Sequence, residues 1–365
     1  MIKVLFDHQK FTTQRYGGIS RYFANIIQQI NHSPEFSCEV GFLYSRNHYL
    51  KNEQTATDRV MERLLKSQFI DRKLFQLNES YCKYLVGKNN FDIFHPTYYD
   101  PYFLGSLKKP LVTTIHDMTY EKLPEYFWVH DYLTHNKRLH IERADAIIAI
   151  SETTKSDLLK YHDVDESKVS VIYHGIDSAP LIFKPVDGLP KNYLLYVGDR
   201  SGYKNFYLFM DAFKKLSARY PDLNVVLTGG GPLGIADREL LYRLKLTDRV
   251  KHVNVTDEQL NYLYQNTILF VYPSLHEGFG LPILEAFKAQ CPILLSNTPC
   301  FKEIARDAVA YFEAHLMEDL ADKIEMFLTD STKRETFIAK GSKRLADFPL
   351  DVSIHQTLDL YKSLV

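Results

Sequence analysis

The chain has 365 residues, 45% of them hydrophobic, with 44 Lys and Arg against 45 Asp and Glu. That length accommodates two domains, and the near-zero net charge argues against a nucleic-acid binder driven by overall charge. The four cysteines, Cys38, Cys82, Cys291 and Cys300, form no CxxC pair and complete no zinc spacing with histidine, so they read as reduced thiols of a cytoplasmic protein and the metal expectation is none.

The apolar run before Asp7 is too short for a signal peptide. The longest apolar runs, "AIIAI" and "ILFVY", fall far below the roughly 20 residues of a membrane span. The expectation is a soluble or peripheral protein.

Short β-branched and aromatic runs alternate with helical patterns from end to end. The first half reads as strands at "IKVLFD", "CEVGFLY", "FDIFHP", "LVTTIHD", "AIIAIS" and "VSVIYHG". The second half reads as strands at "NYLLYVGD", "NVVLTG", "VKHVNV", "ILFVYP", "PILLSN" and "AVAYF". Between them, stretches such as "NFYLFMDAFKKLSARY" and "MEDLADKIEMFLTD" are apolar at helical spacing. Thr256 and Gln259 form a capping box before "DEQLNYLYQN". Strand–helix alternation predicts parallel sheets covered by helices.

The break is "DSAPLIFKPVDGLPKN", which places a linker near residues 178–191. The expected fold is α/β, with two Rossmann-like parallel-sheet domains facing a central cleft. The N-terminal domain would span 1–182 and the C-terminal domain 188–349, with a final helix at 350–365 packing back on the first. Ligands in such sheets bind outside the carboxyl ends of the strands, so the loops that follow strands are where chemistry is sought.

Four such loops carry candidates. In "HEGFGLPILEA", Glu277 sits in a loop with Gly278 and Gly280, and Pro282 suits the first turn of a helix that carries Glu285. The glycines permit close backbone approach, and the helix N-terminus attracts phosphate. A carboxylate suits paired hydroxyls, since each oxygen accepts a hydrogen bond. A plain glycine turn with a dipole-favoured glutamate explains the same letters. In "YVGDRSGYKNF", Arg200 and Lys204 precede a helix, where cations oppose the dipole unless an anion fills the gap. In "QRYGGISRYFANI", Gly17 and Gly18 open a helix directly. In "TTIHDMTYE", His116 and Asp117 end a strand, placing an imidazole for a hydroxyl contact or proton transfer.

Two other patterns are set aside. "GGGPLG" at 229–234 satisfies G-x-G-x-x-G, but it lies mid-domain, and Asp248 precedes a strand instead of ending one, so a dinucleotide fold does not follow. "DVD" at 163–165 reads as a solvated turn. No P-loop, HExxH or G-x-S-x-G is present.

Taken together, "YGGIS", "IHD", "AISETTKSDL", "YHGID", "YVGDRSGYKN", "LTGGGP" and the E-x7-E of "EGFGLPILEA" resemble the family-4 retaining glycosyltransferases, which have the GT-B fold. The likeness covers nearly the whole chain, and its style resembles bacterial mannosyltransferases of surface-polysaccharide synthesis, such as O-antigen enzymes. It implies a nucleotide-sugar donor bound mainly by the C-terminal domain, with GDP-mannose favoured and UDP-sugars close behind, and a saccharide or polyprenyl-linked saccharide acceptor on the N-terminal domain.

By the same resemblance, Arg200 and Lys204 hold the diphosphate and Glu285 the ribose. Glu277 contacts the transferred sugar, with backbone N–H groups from Gly278, Phe279, Gly280 and Leu281. Gly17 and Gly18 lie by the phosphates, His116 touches the sugar and Val255 the base. The catalytic set is then His116, Arg200, Lys204 and Glu277, with no cofactor and no metal. One departure stands out: the commoner family pattern has Arg directly after the glycine, whereas here Asp199 intervenes before Arg200. The usual aromatic before the last helix has no clear match in "FPLDVSIHQ".

Two further readings remain open: a catalytically silent nucleotide-sugar binding module, and a GT-B phosphorylase using pyridoxal phosphate. The aromatic-rich "FDIFHPTYYDPYF" and "YEKLPEYFWVHDYL" could stack acceptor sugars or simply form core. Residues 59–76, with Arg and Lys interleaved among Met61, Leu64, Leu65 and Leu74, could rest on an anionic membrane or form an ordinary amphipathic helix.

Overall fold

The computed structural model describes residues 1–50 and 68–365, with side chains from 71 onward in the second stretch. The first half of the 59–76 segment therefore lies outside the described residues; Gln68–Lys88 is a helix. Among the described residues, no helix is long and apolar enough to cross a membrane.

The strands are β1 (Ile2–Phe6), β2 (Phe36–Val40), β3 (Ile93–His95), β4 (Val112–Ile115), β5 (Ala146–Ala149), β6 (Val169–Val171), β7 (Asn192–Val197), β8 (Leu223–Thr228), β9 (Val250–His252), β10 (Leu269–Tyr272), β11 (Ile293–Ser296) and β12 (Ala310–Phe312). Every ladder among them is parallel. Central strands such as β5 and β10 are buried along their whole length, which is why they read as continuous apolar runs. The second strand lies earlier than "CEVGFLY" suggested. It begins at Phe36 and ends at Val40, and the Leu43 and Tyr44 amides turn to the Asn78 side chain instead of a ladder.

Two compact units result. One comprises Met1–Lys122, Trp128–His174 and Asp351–Val365; the other comprises Leu123–Phe127 and Gly175–Leu350. In the first unit the sheet is interrupted: β2-β1-β3 and β4-β5-β6 form separate ladders joined by a single bridge, Phe94 to Leu111. In the second, six strands run β12-β11-β10-β7-β8-β9. Its core is a stripe of Phe206, Phe209, Phe213 and Leu216 on one helix, packed on Leu194, Val225 and Leu227.

The first unit takes its last helix from the far end of the chain. In Leu350–Lys362, Tyr361 is buried and its hydroxyl meets His95 Nδ1 at 2.6 Å, while His95 Nε2 meets Thr114 Oγ1 at 2.9 Å. Asp7, at the end of β1, accepts from the Thr97 amide at 2.8 Å and from Gln9 Nε2 at 2.6 Å, joining the turns after β1 and β3. Removing the Tyr361 hydroxyl strands a buried imidazole nitrogen. Tyr361→Phe is expected to lower unfolding free energy by about 1–2 kcal/mol in denaturant titration.

The first unit also holds five buried imidazoles that burial keeps neutral. His8 and His140 are lowered to about 4, His95 and His174 to about 3, and His116 falls well below the usual 6.5. The unfolded chain protonates these groups near 6.5 while the folded unit does not, so unfolding takes up protons below that pH. Asp7 opposes this by one proton, since burial raises its carboxyl to about 6 and the folded unit binds that proton first. The balance favours the histidines. Unfolding followed at pH 7 and pH 5 should show a first-unit transition that moves to lower denaturant in acid.

Candidate active site

In the second unit the strand order reverses between β7 and β10. From β7 the chain proceeds outward through β8 and β9, and it returns to the other side of β7 to place β10. Loops leaving neighbouring strands at such a reversal part from one another and open a crevice. The loop after β7 carries Arg200 and Lys204; the loop after β10 carries Glu277.

These two loops are joined directly. Leu275 N donates to Tyr203 O at 2.8 Å, and Lys204 Nζ donates to Glu277 Oε1 at 2.6 Å, with the two side chains 13% and 14% exposed. Burial alone would lower the lysine, yet the Glu277 carboxylate, with Tyr272 and Tyr203 beside it, holds it well above its ordinary range. Lys204 is therefore a fixed cation. Gly202–Lys204 forms a tight turn that ends on Asn205 at φ 59°, and Asn205 Nδ2 donates to Ala314 O at 2.7 Å before the Phe206–Ser217 helix begins.

The E-x7-E segment forms as its letters predict. Gly280, at φ 92°, caps the Leu281–Lys288 helix, and Pro282 lies in the first turn. Gly278 and Phe279 are buried, Leu281 is half-buried, and the Phe279 carbonyl accepts from Cys300 Sγ at 3.4 Å. Glu285 is half-buried one turn into the helix and accepts from the Tyr264 hydroxyl at 3.3 Å. Val255 is half-buried just ahead of Thr256, whose capping box with Gln259 forms in both directions.

Arg200 is held by the neighbouring loop. Its Nε donates to Asp237 Oδ2 at 2.9 Å, and its two terminal nitrogens reach the carbonyls of Gly229, Gly230, Gly231 and Pro232 at 3.0–3.4 Å. The "GGGP" run is thus a loop wrapped on a guanidinium. Gly230 must be glycine, because a Cβ there would lie 2.5 Å from Asp199 Cα, at φ 65°. With Asp199 inserted after Gly198, the arginine is turned to the neighbouring loop.

In the first unit, Gly17 is the N-cap and Gly18 the first residue of the Gly18–Asn31 helix; a Cβ on Gly17 would meet the Gln14 side chain, whose Oε1 accepts from Ser20 N at 3.3 Å. His116 is buried just past β4. Its amide donates to the Tyr99 hydroxyl at 3.0 Å, which in turn donates to the Thr114 carbonyl at 3.1 Å, and its ring stacks 6.4 Å from that of His174. Lys137, itself buried with Glu121, donates to the Asp117 carbonyl at 2.9 Å and fixes the turn. Burial foremost, then His174, keeps the His116 imidazole neutral, so it offers one donor and one acceptor.

Four supporting residues escape the motif reading: Tyr264, Tyr272, Asp237 and Tyr99. Tyr272 carried a usable signal, being a hydroxyl at the carboxyl end of the otherwise apolar strand β10.

Residues 16–179 match the family model described as Glycosyltransferase Family 4, and residues 180–344 match that described as Glycosyl transferases group 1. The chain belongs to this family of glycosyltransferases. Among curated relatives, it is 29% identical over 199 residues to the O-antigen chain mannosyltransferase RfbU of Salmonella typhimurium, covering 54% of this chain and 55% of that protein. It is 28% identical over 292 residues to O-antigen chain mannosyltransferase B of Escherichia coli, covering 74% of each. The chain thus spans little more than half the length of RfbU. Its fold is GT-B: it superposes over its full length on Anabaena HepE, solved with UDP and glucose, at TM-score 0.73 and 17% identity, covering 100% of that chain. The sucrose-phosphate synthase of Thermosynechococcus elongatus also scores 0.73 at 18% identity, covering 100% of this chain and 99% of that one.

Arg200 and Asp237 are 6% and 13% exposed at their side chains. Arg200→Ala strands Asp237 and four carbonyls, and should cost about 3 kcal/mol of second-unit stability. An unchanged thermal midpoint would show that the clamp is idle.

Proposed function

We propose that this glycosyltransferase moves a hexose, mannose from GDP-mannose first among the candidates, onto a saccharide or lipid-linked saccharide acceptor during cell-surface polysaccharide synthesis. It does so at the cytoplasmic side, with retention of anomeric configuration and no metal. The single observation that carries the reading is the Lys204–Glu277 pair, a preset cation and carboxylate at the strand-order reversal. The mannosyltransferase names of the curated relatives support the choice of sugar.

In this reading Lys204 neutralises the diphosphate and Glu277 receives the transferred sugar's hydroxyls. Backbone N–H groups from Gly278 to Leu281 add to the oxyanion field. Glu285, oriented by Tyr264, accepts from the ribose hydroxyls, and Val255 lies toward the base. Gly17 and Gly18 approach the phosphates. Arg200 acts at one remove, as a positioning residue for the glycine loop. His116 contacts the sugar as a neutral imidazole and carries no charge to the reaction.

The bond from C1 of the sugar to the diphosphate breaks, and a bond from C1 to the acceptor oxygen forms on the same face. The acceptor's proton passes to the departing phosphate oxygen. Charge grows on that phosphate as the bond breaks, so a fixed lysine stabilises the transition state more than the ground state.

Thermal shift with GDP, UDP, ADP and their sugar derivatives, with and without EDTA, tests the donor. A ligand at 100 times its Kd adds about 2.7 kcal/mol. Stabilisation by GDP and GDP-mannose, indifferent to EDTA, is expected; a response only to UDP compounds or only with metal overturns those parts. Lys204→Ala should lose at least about a hundredfold in kcat, and Glu285→Ala should weaken donor binding about tenfold. Ordinary turnover in both variants would sink the assignment.

A further inference from the structure

The loop that carries Glu277 is anchored along its backbone on both sides of the acid. The Ser274 carbonyl accepts from the Ser296 hydroxyl, the Leu275 amide donates to the Tyr203 carbonyl at 2.8 Å, and the Phe279 carbonyl accepts from Cys300 Sγ at 3.4 Å. The acid stands between these anchors with a glycine directly after it, so the place of its side chain depends on what grips the carboxylate.

Two donors do so among the described residues. One is Lys204, at 2.6 Å. The other is Tyr272, whose hydroxyl hydrogen-bonds to the Glu277 side chain. Tyr272 is the last residue of β10, and its ring is buried. It lies 5.5 Å from the Phe270 ring and 4.8 Å from the Phe301 ring, centre to centre. Phe301 also lies against Gly280, where an added Cβ would come within 3.2 Å of its Cε1. One ring therefore braces both the tyrosine and the start of the Leu281–Lys288 helix. Burial above all, then the neighbouring Glu277, pushes the Tyr272 hydroxyl well above its ordinary range, so it keeps its proton.

The two donors are not equivalent. Lys204 is a charge, and a diphosphate arriving beside it competes with the carboxylate for its ammonium. Tyr272 is neutral, and its one proton goes to Glu277. A diphosphate draws on the first donor and leaves the second as it was.

We propose that Tyr272 is a positioning residue, which holds the Glu277 carboxylate in place for the transferred sugar once the donor's diphosphate has drawn on Lys204. The inference rests on the reading of Lys204 and Glu277 as diphosphate and sugar contacts, and it adds the group that keeps the carboxylate set during turnover.

Tyr272→Phe removes the hydroxyl and keeps the ring between Phe270 and Phe301. With the nucleotide sugar, kcat should fall about tenfold and Kd should weaken about threefold or more, the scale of one lost hydrogen bond to a charged group. The Kd of the matching nucleoside diphosphate, which brings no sugar to Glu277, should stay within about twofold. In a Glu277→Ala background the same substitution should leave the nucleotide-sugar Kd unchanged, since the group it acts through is gone. A kcat within about twofold of wild type overturns the proposal. So does an equal loss of affinity for the bare diphosphate, or an equal cost in both backgrounds, either of which marks general loosening of the loop. Ordinary turnover in Lys204→Ala fails the site reading beneath the inference. Lost turnover there, with kcat unchanged in Tyr272→Phe, fails the inference alone.

Discussion

A parallel sheet forces the chain to re-enter every strand from the same end. Within each sheet the loops that follow strands therefore emerge along one edge, and Lys204, Glu277 and His116 stand on such loops. Where the strand order reverses, two of those loops part, and the molecule places its most consequential contact there: Lys204 on Glu277 at 2.6 Å. A surface ion pair contributes little to stability, and a half-shielded one costs desolvation. Its value is geometric, because it holds an ammonium and a carboxylate ready before any ligand arrives.

Around that contact, support comes from hydroxyls and backbone. Tyr264 orients Glu285, Arg200 gathers four carbonyls of the glycine loop, and Tyr99 holds the His116 turn. Neutral donors and acceptors can be buried at modest cost once paired, and Arg200, a charge in this frame, is itself paired with Asp237.

Much of this was legible in the letters. The strands declared themselves through short apolar runs, the Thr256–Gln259 box formed as spaced, and Pro282 marked the start of its helix. Other features depended on partners distant in sequence. Local spacing marks Arg200 as a phosphate candidate but cannot show its ion pair with Asp237, 37 positions on. The gap between β3 and β4 was hidden because both strands are fully buried and read like their neighbours, while only the single Phe94–Leu111 bridge joins them. The aromatic segment around Trp128 was ambiguous between core and contact surface, since exposure is decided by packing and not by residue type.

The helix that ends the chain has a consequence for its birth. The first unit is begun first but completed after the second: His95 and Phe36 wait for Tyr361, which the ribosome adds only after the residues of the second unit. The second unit, whose parts apart from Leu123–Phe127 lie between Gly175 and Leu350, has all its residues before that moment. Vectorial synthesis ordinarily lets the N-terminal portion fold first. Here the order of completion is inverted, and the nascent N-terminal half keeps the surface that Tyr361 covers open until the last helix of its unit has been made.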